Sequence, residues 1–248
     1  MDLREKVWSF SSVKMFEQCP YSFYLHYIED KYELPNAFAQ SGGYVHELLA
    51  KAYSGELLEF ELADEFEEHY SENITQRFPY YNIAKSFYET SLDYLSTFEI
   101  DNNYEVVGVE KEIKCEIKGY EFIGYIDLLL HDKTDGKLII VDHKSKSAFK
   151  AGEKKEYLKQ LYLYSYAIYN EYGEFPKELW FNLYRAKKIV KVDFAETDYN
   201  AALDWFKNTI DTILQKQNWE CNPDSWRCKY LCGYTDCLYN GRDINGSF

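Results

Sequence analysis

The chain has 248 residues, of which 46% are hydrophobic, so it is long enough to bury the core of one large domain. Its formal net charge of −14 opposes nucleic-acid binding over the surface as a whole, so such binding would need a local basic stripe. No run of about 18 apolar residues is present, and the charged start lacks the apolar segment of a signal peptide, so we expect a cytoplasmic protein without a membrane partner.

The first 100 residues carry patterns typical of helices. The predicted helices are residues 11–27 with an interruption at Pro20, a helix that follows Ser41-Gly42-Gly43 and ends near Tyr53, and residues 56–99. The last range has an apolar stripe that includes Phe87 and Leu95 at helical spacing.

The rest of the chain alternates between strand and helix patterns. The predicted strands are residues 105–117, 121–130, 137–144, 178–184 and 188–194, and the predicted helices are 154–172 and 199–217. Three strands, a helix, two strands and a helix are typical of an α/β or α+β domain with a mixed sheet flanked by helices. The chain lacks the glycine-rich phosphate loop of a nucleotide-binding fold. Residues 218–248 are predicted to be irregular and are rich in cysteine.

Two acidic residues and a lysine are predicted to share one face of a β-hairpin. Asp135-Gly136, between two apolar runs, predicts a two-residue turn that pairs Asp127 with Lys144. Because strand side chains alternate, Asp142 then lies on the same face as both. Two carboxylates at this spacing can hold Mg²⁺ through oxygen ligands at about 2.0–2.1 Å. The alternative is a solvated surface hairpin, but the apolar run 138–141 indicates a buried strand, where unpaired charges are costly.

Further residues could complete a phosphodiester site. Lys144 could neutralise charge on a phosphate or orient a water molecule. His143 is predicted to turn its side chain to the other face and leave its carbonyl oxygen available to a cation. His46 lies at the edge of an apolar stripe, so a structural histidine is the alternative to an imidazole ligand, which would favour Mn²⁺ over Mg²⁺. A basic stripe follows the acidic pair: Lys144, Lys146, Lys150, Lys154 and Lys155.

Three more side chains are candidates from their position alone. Gln160 and Tyr164 are four residues apart on a predicted helix, so they share a face and could line the path of a phosphate. Glu110, near the end of a strand pattern, is a third candidate carboxylate. The chain also has 25 tyrosines and 16 phenylalanines, most of which we expect in the core, although aromatic rings can stack on unpaired bases.

The cysteines form a second strong signal. Three of them cluster in the tail: Cys228, Cys232 and Cys237. We favour metal ligation over disulfides because we expect a reducing compartment, and a closed site then needs a fourth thiolate. Cys19 is the predicted fourth ligand and Cys221 the alternative, while Cys115 is predicted to be a small buried hydrophobe. Zinc and an iron–sulfur cluster both fit this pattern.

Taken in order, these motifs resemble the RecB-type nucleases of the PD-(D/E)XK superfamily. The motifs are Ser9-x-x-Ser12-x-x-x-Phe16-x-x-Cys19-Pro20-x-x-Phe23-x-x-x-Tyr27, Gly43-x-x-His46, Gly124-x-x-Asp127, Asp142-x-Lys144, Gln160-x-x-x-Tyr164 and the terminal cysteines. The chain is most similar to the iron–sulfur branch of that group, which includes CRISPR-associated RecB-like exonucleases, the AddB nuclease domain and phage relatives.

The resemblance implies a fold, an activity and a role for each motif. It implies a restriction-endonuclease-like α/β core with an N-terminal helical insertion, in a metal-dependent DNA exonuclease that acts on single-stranded ends. The implied ligands of Mg²⁺ or Mn²⁺ are His46, Asp127, Asp142 and the carbonyl of His143. Lys144 would activate water, and Gln160 and Tyr164 would support the site and contact DNA.

In the tail, the resemblance implies a structural 4Fe–4S cluster, which shifts our expectation from zinc towards iron. The implied cluster ligands are Cys19, Cys228, Cys232 and Cys237. The family usually spaces its last three cysteines C-x2-C-x5-C, whereas this chain has C-x3-C-x4-C, so Cys221 stays open as a substitute for Cys232.

The resemblance also implies an organisation and a setting. We expect one nuclease domain over residues 1–248: N-terminal helices 1–55, a helical insertion 56–100, a nuclease core 104–217 and a cluster-binding tail 218–248. We expect a DNA partner and a helicase, integrase or recombination protein as a further partner, in a bacterial or archaeal cell or in a phage-infected host, with a role in DNA recombination and repair or CRISPR. The alternatives are a nuclease-like accessory subunit that binds DNA or protein without cutting, and the same nuclease with a structural zinc.

Overall fold

A computed structural model describes residues 3–241. Residues 1–2 of the charged start and residues 242–248 of the predicted irregular tail lie outside the described residues. Five strands form one sheet in the order β1-β2-β3-β4-β5. They are β1 (Tyr104–Ile117), β2 (Tyr120–Asp132), β3 (Leu138–Lys144), β4 (Glu178–Leu183) and β5 (Lys188–Asp193). Only β3 and β4 are parallel, so the sheet is mixed, as the sequence predicts.

Eight α-helices surround this sheet within residues 3–241. They are α1 (Phe10–Gln18), α2 (Pro20–Tyr27), α3 (Ala37–Tyr53), α4 (Leu62–Asn73), α5 (Tyr81–Leu95), α6 (Glu153–Tyr172), α7 (Glu196–Gln215) and α8 (Ser225–Tyr230). Ser9 caps α1 through a reciprocal bond with Ser12, and Pro20 begins α2 at a position where a missing N–H costs little. No helix of the described part combines the length and apolar character of a membrane span.

Three helix predictions differ from the structure. Helix α3 runs through Gly42-Gly43 instead of starting after them, because Asn36 caps it by accepting a bond of 2.9 Å from the Ala39 N–H. The single predicted helix over 56–99 is divided into α4 and α5, and the segment between them contains Pro79. The tail, predicted to be irregular, contains the short helix α8, which Asp224 caps.

The predicted two-residue turn of the hairpin is wrong. The connection is longer, and the carboxylate of Asp132 accepts bonds from the N–H and hydroxyl of Thr134, at 2.8 Å and 2.6 Å. Gly136 closes the loop at a φ of 69°, which glycine adopts without strain, and its N–H donates to the Asp132 carbonyl. Within the ladder, Leu128 pairs with Val141 and Leu130 with Ile139.

The register therefore differs from the predicted one by two residues. The ladder ends at Leu128 and Val141, and its register continued by one step sets Asp127 opposite Asp142 instead of Lys144. Because the shift is even, every side chain keeps its face, and the expected grouping of Asp127, Asp142 and Lys144 on one face survives the error.

The two faces of the sheet are covered differently. Helices α6 and α7 pack on one face, where Leu129 and Ile140 join the main core. The other face carries Leu128, Val141 and Trp180 and packs against Tyr53 from the end of α3. Helices α3, α4 and α5 form a smaller core of their own, and α3 also touches β1 and β2. That contact places a residue of α3 beside β1 and β2.

Candidate active site

Three carboxylates lie on three adjacent strands. Asp127 of β2 stands between Asp142 of β3 and Glu110 of β1, because the β1–β2 pairs on either side of Glu110 are Val109–Leu128 and Lys111–Ile126. Glu110 has a φ of 45°, which costs a non-glycine residue about 1–3 kcal/mol and is found where surrounding structure enforces it, often at functional sites. The strand is thus distorted at the residue that faces Asp127.

Helix α3 adds an imidazole to this group. Nδ1 of His46 lies 3.5 Å from Oδ2 of Asp127. Ligand atoms of His46, Glu110 and Asp127 all lie within 4.8 Å of one another, the only such group of histidine, cysteine or acidic side chains within residues 3–241. A set of carboxylates with one imidazole suits Mg²⁺ or Mn²⁺, so the donor chemistry fits the cation that the sequence predicts.

Asp127 is held in place by the neighbouring strand. Its Oδ2 accepts a bond of 2.7 Å from the backbone N–H of His143. The backbone pairing of β2 and β3 ends at Leu128 and Val141. Just beyond that pair, this side-chain bond takes the place of a backbone bond and orients the carboxylate of Asp127 toward His46. A charged acceptor makes such a bond stronger than a bond between neutral groups.

The buried Asp142 forms an ion pair with the partly buried Lys144. Nζ of Lys144 lies 2.9 Å from Oδ1 and 2.7 Å from Oδ2 of Asp142, which is 3% exposed. Burial raises the pKa of Asp142 to about 6; Asp127 adds to the rise and Lys144 opposes it. Burial alone would lower the pKa of Lys144, but Asp142 raises it above its usual value, so Lys144 is cationic at neutral pH.

Helix α6 positions the lysine from the other side. Oε1 of Gln160 lies 3.3 Å from Nζ of Lys144, and the Gln160 amide donates to the hydroxyl of Tyr164 at 2.8 Å. The same ammonium sits 4.7 Å from the ring centre of Tyr157, within cation–π range. The structure thus brings Gln160 and Tyr164 to Lys144. Tyr157 was missed, although it shares their helix face three residues before Gln160.

Gly124 makes room for this arrangement. A Cβ atom at this position would lie 2.5 Å from Cε1 of Tyr164, a distance that forces the ring to move. Tyr164 is buried, so it has little room to shift. The glycine of the Gly124-x-x-Asp127 motif is therefore explained by close approach to α6.

The imidazole of His143 lies on the opposite face, as predicted. Its Nδ1 is 3.0 Å from the amide nitrogen of Asn182, and its ring stacks on Tyr53. Burial lowers the pKa of His143 to about 4, so the ring is neutral at neutral pH. Asn182, a buried polar residue within the apolar strand β4, was missed; its signal is one amide among apolar neighbours.

The predicted basic stripe is only partly available. Lys146 pairs with Glu153 at 2.8 Å, and Lys144 is held by Asp142. The side chains of Lys150, Lys154 and Lys155 form no ion pair with any residue between 3 and 241 and stay exposed. These three remain free to meet phosphate.

The cysteines come together only in pairs. Sγ of Cys221 lies 3.8 Å from Sγ of Cys19 and 3.7 Å from Sγ of Cys237. The thiol of Cys228 instead accepts the Asp224 N–H at 3.3 Å. No three sulfurs within residues 3–241 lie within 4.8 Å of one another, so the positions of the cysteines give no direct support to a 4Fe–4S cluster. The neighbour of Cys19 is the alternative ligand Cys221.

Cys115 is separate from this region. It lies in β1 against the main core, and burial raises the pKa of its thiol to about 11. Both facts agree with a small buried hydrophobe.

Comparisons with known proteins identify a family and similar structures. The model of the PD-(D/E)XK nuclease superfamily matches residues 7–239. The solved structure of a candidate exonuclease from Eubacterium rectale is similar, with a TM-score of 0.56 and 12% identity, over 84% of this chain and 80% of that chain. Another, SSO0001, gives a TM-score of 0.38 and 18% identity over 73% of this chain and 82% of that chain. No curated protein matches the chain.

At such identity a structural likeness bears on the fold alone. Together with the family match it confirms the predicted restriction-endonuclease-like fold, an α/β arrangement with a five-stranded mixed sheet flanked by helices and an N-terminal helical region.

Proposed function

Because the chain belongs to the PD-(D/E)XK nuclease superfamily, we propose that it is a metal-dependent deoxyribonuclease that degrades single-stranded DNA from its ends. A nucleic-acid substrate and a divalent cation follow from the family. The choice of DNA, of single strands and of free ends is the proposal's own. The observation that carries it is the meeting of two carboxylates and one imidazole, from two adjacent strands and helix α3, beside the ion pair of Asp142 and Lys144.

The cation would be held at the group of donors around Asp127. His46, Glu110 and Asp127 offer one nitrogen and two oxygen ligands at short mutual distances. Asp142 lies opposite Asp127, and the carbonyl of His143 is a further candidate. When bound there, Mg²⁺ or Mn²⁺ supplies Lewis-acid activation of the phosphodiester.

Lys144 would act on the phosphate and on the attacking water. Its ammonium is fixed by Asp142 and Gln160, so little reorganisation is needed when negative charge develops on the phosphate. Tyr164 keeps Gln160 in that orientation through its hydroxyl. Preorganised charges of this kind are typically worth about 10²–10³ in rate.

We also propose a structural metal centre in the tail, which would assign the chain to the RecB-type iron–sulfur branch of the superfamily. The support is that the tail brings Cys221 and Cys237 to Cys19 at the start of α2. A tetrahedral zinc with Zn–S bonds of about 2.3 Å keeps its sulfurs about 3.8 Å apart. The two sulfur distances that involve Cys221 have this spacing, but Cys19, Cys221 and Cys237 do not all lie within 4.8 Å of one another, so the distances leave zinc and iron–sulfur open. The motif order favours a 4Fe–4S cluster.

Digestion of labelled oligonucleotides tests the activity. The protein is purified anaerobically and incubated with a fluorescent single-stranded oligonucleotide, in Mn²⁺, in Mg²⁺ and in chelator, beside Lys144→Ala. We expect cation-dependent shortening by the unaltered protein and a loss of at least about 100-fold in the variant. A circular single strand serves as the substrate without ends, and we expect it to stay intact.

Each other outcome would change the proposal in a defined way. Binding without cutting by the unaltered protein would favour the accessory subunit, which the acidic net charge of −14 motivates. Cutting of the circle would make the protein an endonuclease. Equal cutting by Lys144→Ala would sink the assignment of the site. Metal analysis and absorbance at about 400 nm, measured on the same preparation, would distinguish an iron–sulfur cluster from a zinc site.

A further inference from the structure

A large cavity adjoins the lysine side of the candidate site. It has a volume of about 630 Å³ and lies between α1, the first half of α6 and the tail. Its lining includes Tyr157, whose ring carries the ammonium of Lys144 at 4.7 Å and that of Lys146 at 5.5 Å. The groove and the lysine side of the candidate site thus share the ring of Tyr157 as a common wall. The size of the groove falls within the range of about 300–1,000 Å³ of ligand-binding pockets.

Two of the four acidic residues that line the groove are paired with lysines. Four acidic residues line it: Glu33, Glu153, Glu156 and Asp224. Glu153 pairs with Lys146, and Glu156 pairs with both Lys14 and Lys159, each at 2.8–2.9 Å. Glu33 accepts a bond from the Tyr234 hydroxyl, and Asp224 caps α8.

Because two of its four acidic residues are paired with lysines, the groove repels a phosphate backbone less than its composition suggests. The unpaired Lys154 and Lys155 lie on the same turns of α6 as Glu153 and Tyr157. Exposed lysines of this kind can contact phosphates without reading the sequence.

The groove also has an aromatic residue at its tail side. Trp226 lines it and is 42% exposed, whereas Trp8 is fully buried and Trp180 is 5% exposed. One side of Trp226 packs on Tyr230 at a centroid distance of 4.6 Å, which supports the indole without covering it. Unpaired bases stack on exposed aromatic rings of this kind, here beside a groove in which two of the four acidic residues are paired with lysines.

We propose that this groove binds the single strand next to the scissile phosphate and that Trp226 stacks on one of its unpaired bases. The inference rests on the proposed nuclease function and adds a positioning residue to it. Trp226 would act by holding the strand, so its effect should appear in binding and not in the chemical step. Only oligonucleotides long enough to reach from Lys144 to Trp226 would benefit.

Steady-state kinetics on single strands of increasing length test this directly. We expect KM of the unaltered protein to fall with length, and Trp226→Ala to raise KM of the longer strands by at least about tenfold while a dinucleotide is unaffected. Trp226→Phe should return KM of the longer strands most of the way to the value of the unaltered protein. Phe60→Ala is the matched control, because Phe60 is a 77% exposed aromatic outside the groove, and its KM values should match the unaltered protein.

The outcomes separate this inference from the proposed function. Equal KM values for Trp226→Ala and the unaltered protein at every length, with matching melting temperatures, would overturn the stacking role and leave the nuclease intact. A fall in kcat on the dinucleotide would overturn it too. If the unaltered protein cuts nothing, fluorescence anisotropy with the same strands measures binding instead. Weaker binding by Trp226→Ala than by the unaltered protein would support the groove as the binding site, and equal binding would contradict it.

Discussion

The sequence predicts metal centres in two regions of this protein, and the two regions differ in how closely their candidate ligands approach one another. In the carboxylate region, donors from β1, β2 and α3 come within 4.8 Å of one another. In the cysteine region, sulfurs meet in pairs at 3.8 Å and 3.7 Å without forming a group of three. The first region is held by a sheet ladder and the second by a tail whose one helix has six residues.

The difference comes from how each backbone is fixed. A strand register determines every side chain along it, so one correct pairing places Asp127 and Asp142 together. The tail depends on single contacts such as Gly233, where a Cβ would lie 2.1 Å from the Leu34 carbonyl oxygen. The Leu34 N–H donates to the Gly233 carbonyl at 3.0 Å, and the Asn36 amide donates to the Leu231 carbonyl at 3.1 Å. The tail thus docks through separate contacts and not along a ladder.

The largest expected effect lies in the carboxylate region. Asp127→Asn keeps an acceptor for the His143 N–H but removes the charge between His46 and Glu110. We expect cation-dependent cleavage to fall by at least about 100-fold with an unchanged melting temperature. Asp135→Asn, in the loop of the same hairpin, is the control and should cleave normally. Full activity of Asp127→Asn would show that the carboxylate region is not the metal centre.

The cysteine region should lose its metal through one residue. Cys19 is the predicted fourth ligand and its sulfur contacts Cys221, so we expect Cys19→Ser to purify without iron or zinc and to melt at a lower temperature. Cys115→Ser, in β1, should keep the metal. Metal analysis of Cys221→Ser then separates the ligand sets, because loss of metal favours a set with Cys221 and retention favours Cys19 with Cys232. Unaltered metal contents in both Cys19→Ser and Cys221→Ser would contradict a thiolate centre here.

A smaller effect is expected from the glycine beside α6. Gly124→Ala should push Tyr164 away from Gln160, lower activity by about tenfold and cost about 1–3 kcal/mol of unfolding free energy, because buried rings resist displacement. Gly43→Ala is the matched control. No atom lies within 4 Å of its added Cβ, and alanine is favoured inside a helix by about 0.5–1 kcal/mol. Chemical denaturation and oligonucleotide digestion check both; equal stability of the two variants would contradict the packing account.

The smallest effect concerns pH. The pKa of Asp142 is raised to about 6, so this carboxyl takes up a proton as pH falls through that value and then attracts a cation less. We expect the Mn²⁺ concentration for half-maximal binding to rise several-fold between about pH 8 and about pH 5.5. In Asp142→Asn the corresponding rise should be smaller. Identical curves for both proteins would assign the titration to another group.

Local patterns predicted the sheet and its charged face well. The hairpin turn was wrong by two residues, yet alternation along β2 and β3 preserved the side of Asp127, Asp142 and Lys144. Gln160 and Tyr164 follow from helical periodicity in the same way. The division of the chain into 1–55, 56–100, 104–217 and 218–248 remains a prediction.

Contacts between distant elements were beyond local patterns. The closeness of His46 to Asp127 depends on how α3 packs against β1 and β2. The prominence of Glu110 depends on a positive φ within a strand, which strand periodicity does not reveal. The partner of Cys19 depends on where the tail docks, and the sequence left Cys221 only as an alternative ligand.

Crystals soaked in Mn²⁺ and measured at a wavelength where manganese scatters anomalously test the central claim most directly. The account predicts an anomalous peak in contact with Asp127 and with at least two of His46, Glu110 and Asp142. A saturated soak with no peak at these side chains, or with its only peak elsewhere, would contradict the claim that they form one cation site.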